Sequence, residues 1–311
     1  MFTWFLSGKR KVNVSSGEVE NVLEYHPIIQ KINLNGIEVS VLRLDLIHPQ
    51  ISGNKWFKLK YNLEEAKKQG LDTILTFGGA FSNHIHATAF ACKQFGFKSI
   101  GVIRGEKESE TNFTLSEAKN YGMQLHFVSR EDYRKKTQND FIDGLKKMFG
   151  EFYLVPEGGD NELGQKGCEE IIPEGNDFDF IFCACGTATT FKGIRNSLKP
   201  NQKLVGISVL KGEGSVNSEE NILSDYHFGG YAKHTNELLD FKNLFEQETN
   251  IPLDYVYTSK LFFAVKDMIS KNKIPNGKKV LIIHSGGLQG NKGYEERYRL
   301  IPTRNVNEAQ G

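Results

Sequence analysis

The sequence predicts an α/β protein of two lobes, in which open, mostly parallel sheets are flanked by helices. Three observations carry that expectation. From about residue 37, short β-rich runs alternate with longer amphipathic ones. The 311 residues are more than one small core uses, so one large domain or two lobes is expected. Hydrophobic residues at 39% and charged residues at 25% are ordinary globular usage, and no low-complexity tract or repeat of fixed period interrupts them.

The elements follow in order. Residues 37–44, rich in Ile, Val and Leu, read as a strand. Residues 56–69 place Phe57, Leu59, Leu63 and Ala66 on one helical face and stop at Gly70. The strand 73–77, the loop 78–82, a helix to about Phe95, Gly96 and a strand 98–103 complete a βαβ unit. The beat continues with a helix near 112–120, a strand 123–128, a helix near 139–148 and a strand 152–155. Pro156-Glu157-Gly158-Gly159-Asp160-Asn161 then supplies a run of turn residues, where a lobe boundary is expected. Beyond it, strands at 178–184, 203–209 and 279–283 alternate with helices near 190–198 and 260–271. Residues 212–240 are less regular and are expected to line an opening.

Composition narrows the function. With 39 basic and 38 acidic residues the net charge is +1, which gives no excess to release counterions from a nucleic acid. No apolar stretch approaches the roughly 20 residues of a membrane helix. The basic run Lys9-Arg10-Lys11 follows a short apolar start in the wrong order for a secretory signal, so a cytoplasmic protein is expected. Cys92, Cys168, Cys183 and Cys185 match neither a disulfide scaffold nor paired zinc ligands, and His84 with His86 is the one close histidine pair, so no metal centre is expected.

Ligands of open parallel sheets bind where strands end and helices begin, because unpaired N–H groups and the helix dipole point there. Three such junctions are rich in Gly, Ser and Thr: residues 78–84 (Gly-Gly-Ala-Phe-Ser-Asn-His), 185–190 (Cys-Gly-Thr-Ala-Thr-Thr) and 284–287 (His-Ser-Gly-Gly). The second is suited to cradle a phosphate without a lysine. Taken singly, each also reads as a tight βα turn. No strand is followed by G-x-G-x-x-G with a distant acid, and residues 286–293 lack the spacing of a P-loop. An isolated lysine is ordinarily a solvated charge. Lys55, however, stands at a helix start within Ser52-Gly53-Asn54-Lys55. That lysine, together with a phosphate cradle free of nucleotide signatures, points to pyridoxal phosphate, whose aldehyde condenses with an amine.

Taken together, these residues resemble the 1-aminocyclopropane-1-carboxylate deaminase and D-cysteine desulfhydrase family, within the tryptophan-synthase-β-like (fold type II) pyridoxal-phosphate enzymes. The resemblance covers about residues 40–294. It rests on Gly53-Asn54-Lys55 with Lys58-Leu59, Gly78-Gly79 with Ser82-Asn83-His84, Pro156-Glu157-Gly158-Gly159 with Asn161, Asp254 to Lys260 (Asp-Tyr-Val-Tyr-Thr-Ser-Lys), and His284-Ser285-Gly286-Gly287, in the family's order. It implies a larger cofactor-binding domain of residues 1–61 with 157–311, a smaller domain of 62–156, and an active site in the cleft between them. Relatives imply a homodimer and a small amino-acid substrate.

By the same resemblance, Lys55 binds pyridoxal 5′-phosphate covalently and then serves as the base at the substrate's α-carbon, which needs an amine made neutral by burial. Asn83 would bond the cofactor's phenolic oxygen. Ser82, with the backbone of Asn83 and His84, would hold the substrate carboxylate; a helix N-cap is the competing role of Ser82. Gly186, Thr187, Ala188, Thr189 and Thr190 would hold the phosphate, with hydroxyls where the family's G-S-G-G-T has two more glycines. Tyr257 matches a tyrosine beside the substrate. Tyr231 matches a second one, or is a buried core residue.

Two further departures concern Arg43-Leu44-Asp45, where Arg-Glu-Asp is common, and Ser52, where a second glycine is usual. Thr258 and Ser285 stand where the deaminases carry Glu and Leu. A hydroxyl there leaves the cofactor's ring nitrogen largely neutral, a weaker electron sink that suffices to expel thiolate. The resemblance therefore implies D-cysteine desulfhydrase activity, giving pyruvate, ammonia and sulfide. The alternatives are ring opening of 1-aminocyclopropane-1-carboxylate to 2-oxobutanoate, and a non-catalytic protein that binds the cofactor or an amino acid.

Overall fold

Runs that are apolar at every position, such as 280–283, belong in parallel sheets buried on both faces. The computed structural model places them there; it describes residues 25–105, 112–211 and 221–300. The strands are β1 (Ile29–Leu34), β2 (Ile37–Arg43), β3 (Thr73–Gly79), β4 (Lys98–Arg104), β5 (Gln124–Val128), β6 (Tyr153–Val155), β7 (Phe180–Cys185), β8 (Lys203–Ser208), β9 (Ile222–Leu223) and β10 (Val280–His284). The helices are α1 (Asn54–Lys68), α2 (Asn83–Phe95), α3 (Phe113–Asn120), α4 (Arg130–Tyr133), α5 (Asn139–Phe149), α6 (Glu162–Cys168), α7 (Thr189–Ser197), α8 (Asn236–Thr249), α9 (Thr258–Ser270) and α10 (Gly290–Tyr298).

Six strands form one sheet in the order β1-β2-β10-β7-β8-β9, and four form another in the order β5-β4-β3-β6. Every neighbouring pair is parallel except the β1–β2 hairpin, which turns at Asn35-Gly36 with positive φ at both residues. Alternate residues of the larger sheet serve its two faces. Phe182, Ala184 and Ile282 pack against Leu261 and Phe262 of α9 and Phe245 of α8, while Ile181, Cys183 and Ile283 pack against Phe191 and Ile194 of α7. In the smaller sheet, Leu75, Phe77 and Val102 meet Tyr133 of α4 and Leu145 of α5, and Ile74 meets α1 and α2. Helix α1 serves both sheets: Phe57 lies in the larger core, Leu59 and Leu63 in the smaller one. It thus spans the boundary expected at residues 61 and 62.

Four helices and two strands were not foreseen. The sequence assigns no element to the segments of α6 and α10, whose glycines disfavour helix. In α6, Gly164 and Gly167 instead allow close approach: a Cβ on Gly167 would lie 1.7 Å from the Phe57 carbonyl oxygen. Helix α8, capped by Thr235, begins inside the segment expected to be irregular. The others are the short α4, the edge strand β1 and the two-residue β9. The basic run 9–11 and residues 212–220 lie outside the described residues. Among the described residues, all four cysteines are buried and free, no helix is long and apolar enough to cross a membrane, and no group of His, Cys, Asp or Glu is placed to hold a metal.

The turn before α1 and the loop after β10 interlock. Gly53 has φ +71°, and a Cβ there would lie 1.8 Å from the Ser285 carbonyl oxygen; Gly286, at φ +74°, faces Gly53 from the other side. Gly53→Ala is therefore expected to destabilise the fold by more than about 3 kcal/mol, combining left-handed strain with displaced backbone. Gly36→Ala, at φ +86° in open space, should cost only about 1 kcal/mol. Urea denaturation of the two variants compares the costs, and equal values would contradict the interlock.

Candidate active site

The carboxyl ends of β3, β7 and β10 feed three loops that open on one cavity of about 1280 Å³, lined from both sheets. Its floor begins at α1. The Lys55 amine donates to the Asn54 carboxamide oxygen at 2.6 Å. Asn54 in turn donates to the Thr190 hydroxyl at 2.7 Å, tying the lysine turn to the start of α7. Burial, and then the positive charge of Lys58, lower the Lys55 pKa to about 7, so a good part of the amine is neutral at neutral pH. Lys58, one turn on, is 5% exposed and lines the same cavity. Burial lowers its pKa too, and among the described residues no hydrogen bond or ion pair engages its ammonium.

At the start of α2, Ser82 is the N-cap, its hydroxyl accepting from the Ile85 N–H at 3.3 Å. It also lines the cavity, as do Asn83 and His84. The Asn83 carboxamide oxygen is buried without a partner among the described residues. The Thr76 hydroxyl donates to the Val155 carbonyl at 2.8 Å. It therefore accepts from His84 Nε2 at 2.9 Å, leaving Nδ1 as an unpartnered acceptor. Burial, followed by the charges of Lys55 and Lys58, pushes the His84 pKa to about 3, so the ring is neutral.

Of the expected phosphate loop, Gly186, Thr187, Ala188 and Thr190 line the cavity. Thr189 is buried and turns its hydroxyl to Asp160 at 2.8 Å, so Thr187 donates to Thr189 at 2.8 Å. Ala188 takes φ 61° directly before α7, a conformation that a glycine would adopt with less strain.

Asp254 sets the aromatic wall. Its carboxylate, 1% exposed, accepts from the N–H groups of Val256, Tyr257 and Thr258 and from the Thr258 hydroxyl. Thr258 is thereby fully buried with its hydroxyl committed, outside the cavity lining. Ser285 does line the cavity, and no described residue bonds its hydroxyl. Tyr257 stands in the cavity with its ring centroid 5.9 Å from the Lys55 amine. Its phenol is pushed up by burial first and then by Tyr231. Tyr231 is 38% exposed, not a core residue, and its ring meets Tyr257 edge-on at 6.1 Å. The loop that carries Tyr231 is gripped from below by Lys260, fully buried, which donates to the carbonyls of His227 and Gly230 at 2.8 Å each.

Sequence reasoning assigned no role to Asn54, Lys58, Asp160 or Asp254. Asp254 had a signal: an Asp just before a helical run offers its carboxylate to the backbone N–H groups two to four residues on. It also passed over the buried cluster under the lysine turn. There Arg43 donates to both oxygens of Asp45, at 2.8 and 2.6 Å, and His284 Nδ1 lies 3.1 Å from the same carboxylate.

The pattern of the pyridoxal-phosphate-dependent enzymes matches residues 23–222. A Pyrococcus furiosus protein, provisionally named a 1-aminocyclopropane-1-carboxylate deaminase, is 30% identical over 89% of this chain and 92% of its own length. The Arabidopsis thaliana mitochondrial bifunctional D-cysteine desulfhydrase/1-aminocyclopropane-1-carboxylate deaminase is 30% identical over 82% of this chain and 74% of its own. The crystal structure of an ACC deaminase homologue superposes with a TM-score of 0.79 at 28% identity, covering 90% of this chain and 95% of that one. A lysine whose pKa burial lowers to about 7, beside a second buried cation and a hydroxyl-rich helix start, agrees with these likenesses: the chain belongs to the pyridoxal-phosphate-dependent enzymes, in the family of 1-aminocyclopropane-1-carboxylate deaminase and D-cysteine desulfhydrase.

Proposed function

We propose that the protein eliminates the β-substituent of a small amino acid, with D-cysteine as substrate and pyruvate, ammonia and sulfide as products. The observation that carries the reading is Ser285, which lines the cavity and whose hydroxyl has no partner among the described residues. The nearby carboxylate of Asp254, 3.4 Å from where a Cβ on Gly287 would lie, is fully occupied by four hydrogen bonds.

The residues present fit pyridoxal phosphate. Lys58 is a buried cation without a described anion, the start of α7 offers hydroxyls and N–H groups, and Asn83 holds a buried oxygen without a donor. When bound, the cofactor supplies an aldehyde for a lysine amine and a ring that takes up the electron pair released at the substrate's α-carbon. Lys55 would hold the aldehyde, Lys58 with residues 186–190 the phosphate, Asn83 the phenolic oxygen, and Ser285 the ring nitrogen. A hydroxyl at that nitrogen leaves it neutral, which suits a good leaving group such as thiolate.

The remaining steps belong to the chain's own groups. The Lys55 amine, neutral above about pH 7, accepts the α-proton. Ser82 and the N–H groups at the start of α2 bind the α-carboxylate. Neutral His84 offers Nδ1 as an acceptor. Tyr257 and Tyr231 wall the substrate and exclude water. Ring opening of 1-aminocyclopropane-1-carboxylate is the second reading, supported by the relatives' names and opposed by the hydroxyl at position 285.

Cofactor-loaded protein should release sulfide and pyruvate from D-cysteine; 2-oxobutanoate from the cyclopropane amino acid with no sulfide from D-cysteine would reverse the assignment. Lys55→Ala should lose the visible absorbance and covalent retention of the cofactor, and lower turnover by about a thousandfold or more. The pH dependence has a definite sign. Because the folded pKa, about 7, lies below the ordinary 10.5, the amine is protonated below pH 7 and neutral above it. Cofactor capture by the cofactor-free protein should rise through about pH 7 and level off; a rise beginning only above pH 9 would show an unperturbed lysine.

A further inference from the structure

The α-carboxylate seat at residues 79–84 is flanked by a second group of polar side chains that the reaction does not use. Arg104, the last residue of β4, pairs in register with Gly79 of β3. Its guanidinium Nη2 lies 3.6 Å from where a Cβ on Gly79 would stand. An exposed arginine by itself is a solvated charge. This one stands 5.5 Å above the Tyr133 ring, which also has the Lys136 ammonium 5.0 Å from its centroid. Tyr133 is 2% exposed, lines the cavity, and its hydroxyl is buried with no hydrogen-bond partner among the described residues. Burial, and behind it the Glu157 carboxylate that lines the same wall, raise the phenol's pKa. That carboxylate also lies 3.5 Å from the Lys136 ammonium.

Arg130 and Arg134 line the same wall, and among the described residues no carboxylate pairs with either or with Arg104. After a cofactor phosphate is assigned to Lys58 and one substrate carboxylate to the start of α2, this wall still presents a guanidinium and an unsatisfied phenol. A buried donor without an acceptor is costly unless a ligand supplies one. The geometry points to a second anion site formed by Arg104 and Tyr133, so that the protein also accepts, besides D-cysteine, amino acids whose side chain ends in a carboxylate, phosphate or sulfonate. This rests on the reading of residues 79–84 as the amino-acid seat. D-Cysteine fills that seat and leaves the second site partly empty; an amino acid with an anionic β-substituent fills both. Arg104 is the specificity-determining residue, since a planar fork of donors matches an oxyanion.

The test is calorimetric binding to cofactor-loaded protein of aspartate and O-phosphoserine, in both hands, against alanine and serine, with Arg104→Gln, Arg104→Lys and Tyr133→Phe. The dianionic ligands should bind about tenfold or more tighter than the neutral ones. Arg104→Gln should remove most of that preference while shifting alanine far less, Arg104→Lys should keep part of it, and Tyr133→Phe should reduce it. The preference should also fall with added salt. Dianionic ligands that bind no better than alanine, or a preference that survives both Arg104→Gln and Tyr133→Phe, would overturn the proposal. Inorganic phosphate that binds as tightly as O-phosphoserine and is lost in Arg104→Gln would assign the site to a free anion and overturn the substrate assignment. If no amino acid binds in either hand, the seat itself is wrong and the second site falls with it; alanine binding without dianion preference leaves the seat standing and sinks only the second site.

Discussion

The Asn54 N–H donates to the Ser285 carbonyl at 3.2 Å, and the Gly53 N–H donates to the Leu44 carbonyl at 2.9 Å. Through these two bonds the turn that carries Lys55 is fixed both to the loop after β10 and to the segment after β2. The Arg43–Asp45 ion pair sits beneath, buried, with His284 beside it and His284 Nδ1 accepting from the Gly286 N–H at 3.3 Å. His284 Nε2 reaches the Pro252 carbonyl at 2.7 Å, which carries the constraint on toward Asp254. Buried charges of this kind are poor sources of net stability, but losing one partner leaves the other uncompensated. Their effect here is on position: the lysine, the serine and the tyrosine wall are indexed to one another by backbone rather than by mobile side chains.

That rigidity shapes the electrostatics. Lys55, Lys58 and neutral His84 share a cavity in which burial first, and then the charge of Lys58 on Lys55 and of both lysines on His84, lower proton affinity. The arrangement is unfavourable for the protein alone and favourable once an anion and an aldehyde enter, so part of the binding energy of a ligand is relief of repulsion. Strain at Ala188 belongs to the same pattern, since left-handed backbone in a non-glycine residue is kept only where its surroundings over-determine it.

Much of this was legible in the sequence. Short β-rich runs alternating with amphipathic, glycine-bounded helices pointed to the parallel sheets, and the three junctions at residues 78–84, 185–190 and 284–287 do open on one cavity. Thr189 and Thr258 show where residue type alone stops informing. Both hydroxyls stand in the expected motifs, yet Asp160 and Asp254 claim them, and which of two neighbouring hydroxyls faces a cavity depends on partners far away in sequence. Helix α6 gave no sequence signal because its glycines weaken helix propensity, and only the partner backbone that they approach makes the helix pack. Arg104 and Tyr133 carried no local pattern, because the pairing of β3 with β4 brings the first to the site and the packing of α4 on that sheet brings the second.

Lys260 holds the loop beneath Tyr231 entirely by carbonyl oxygens. Every amino acid brings the same oxygen to those positions, so the side chains at 227 and 230 contribute nothing to the grip itself, although left-handed φ at Phe228, Gly229 and Gly230 restricts which residues the path admits. Related chains are thus free to vary the composition of this rim, and with it the molecules they admit, while one interior ammonium keeps its course unaltered.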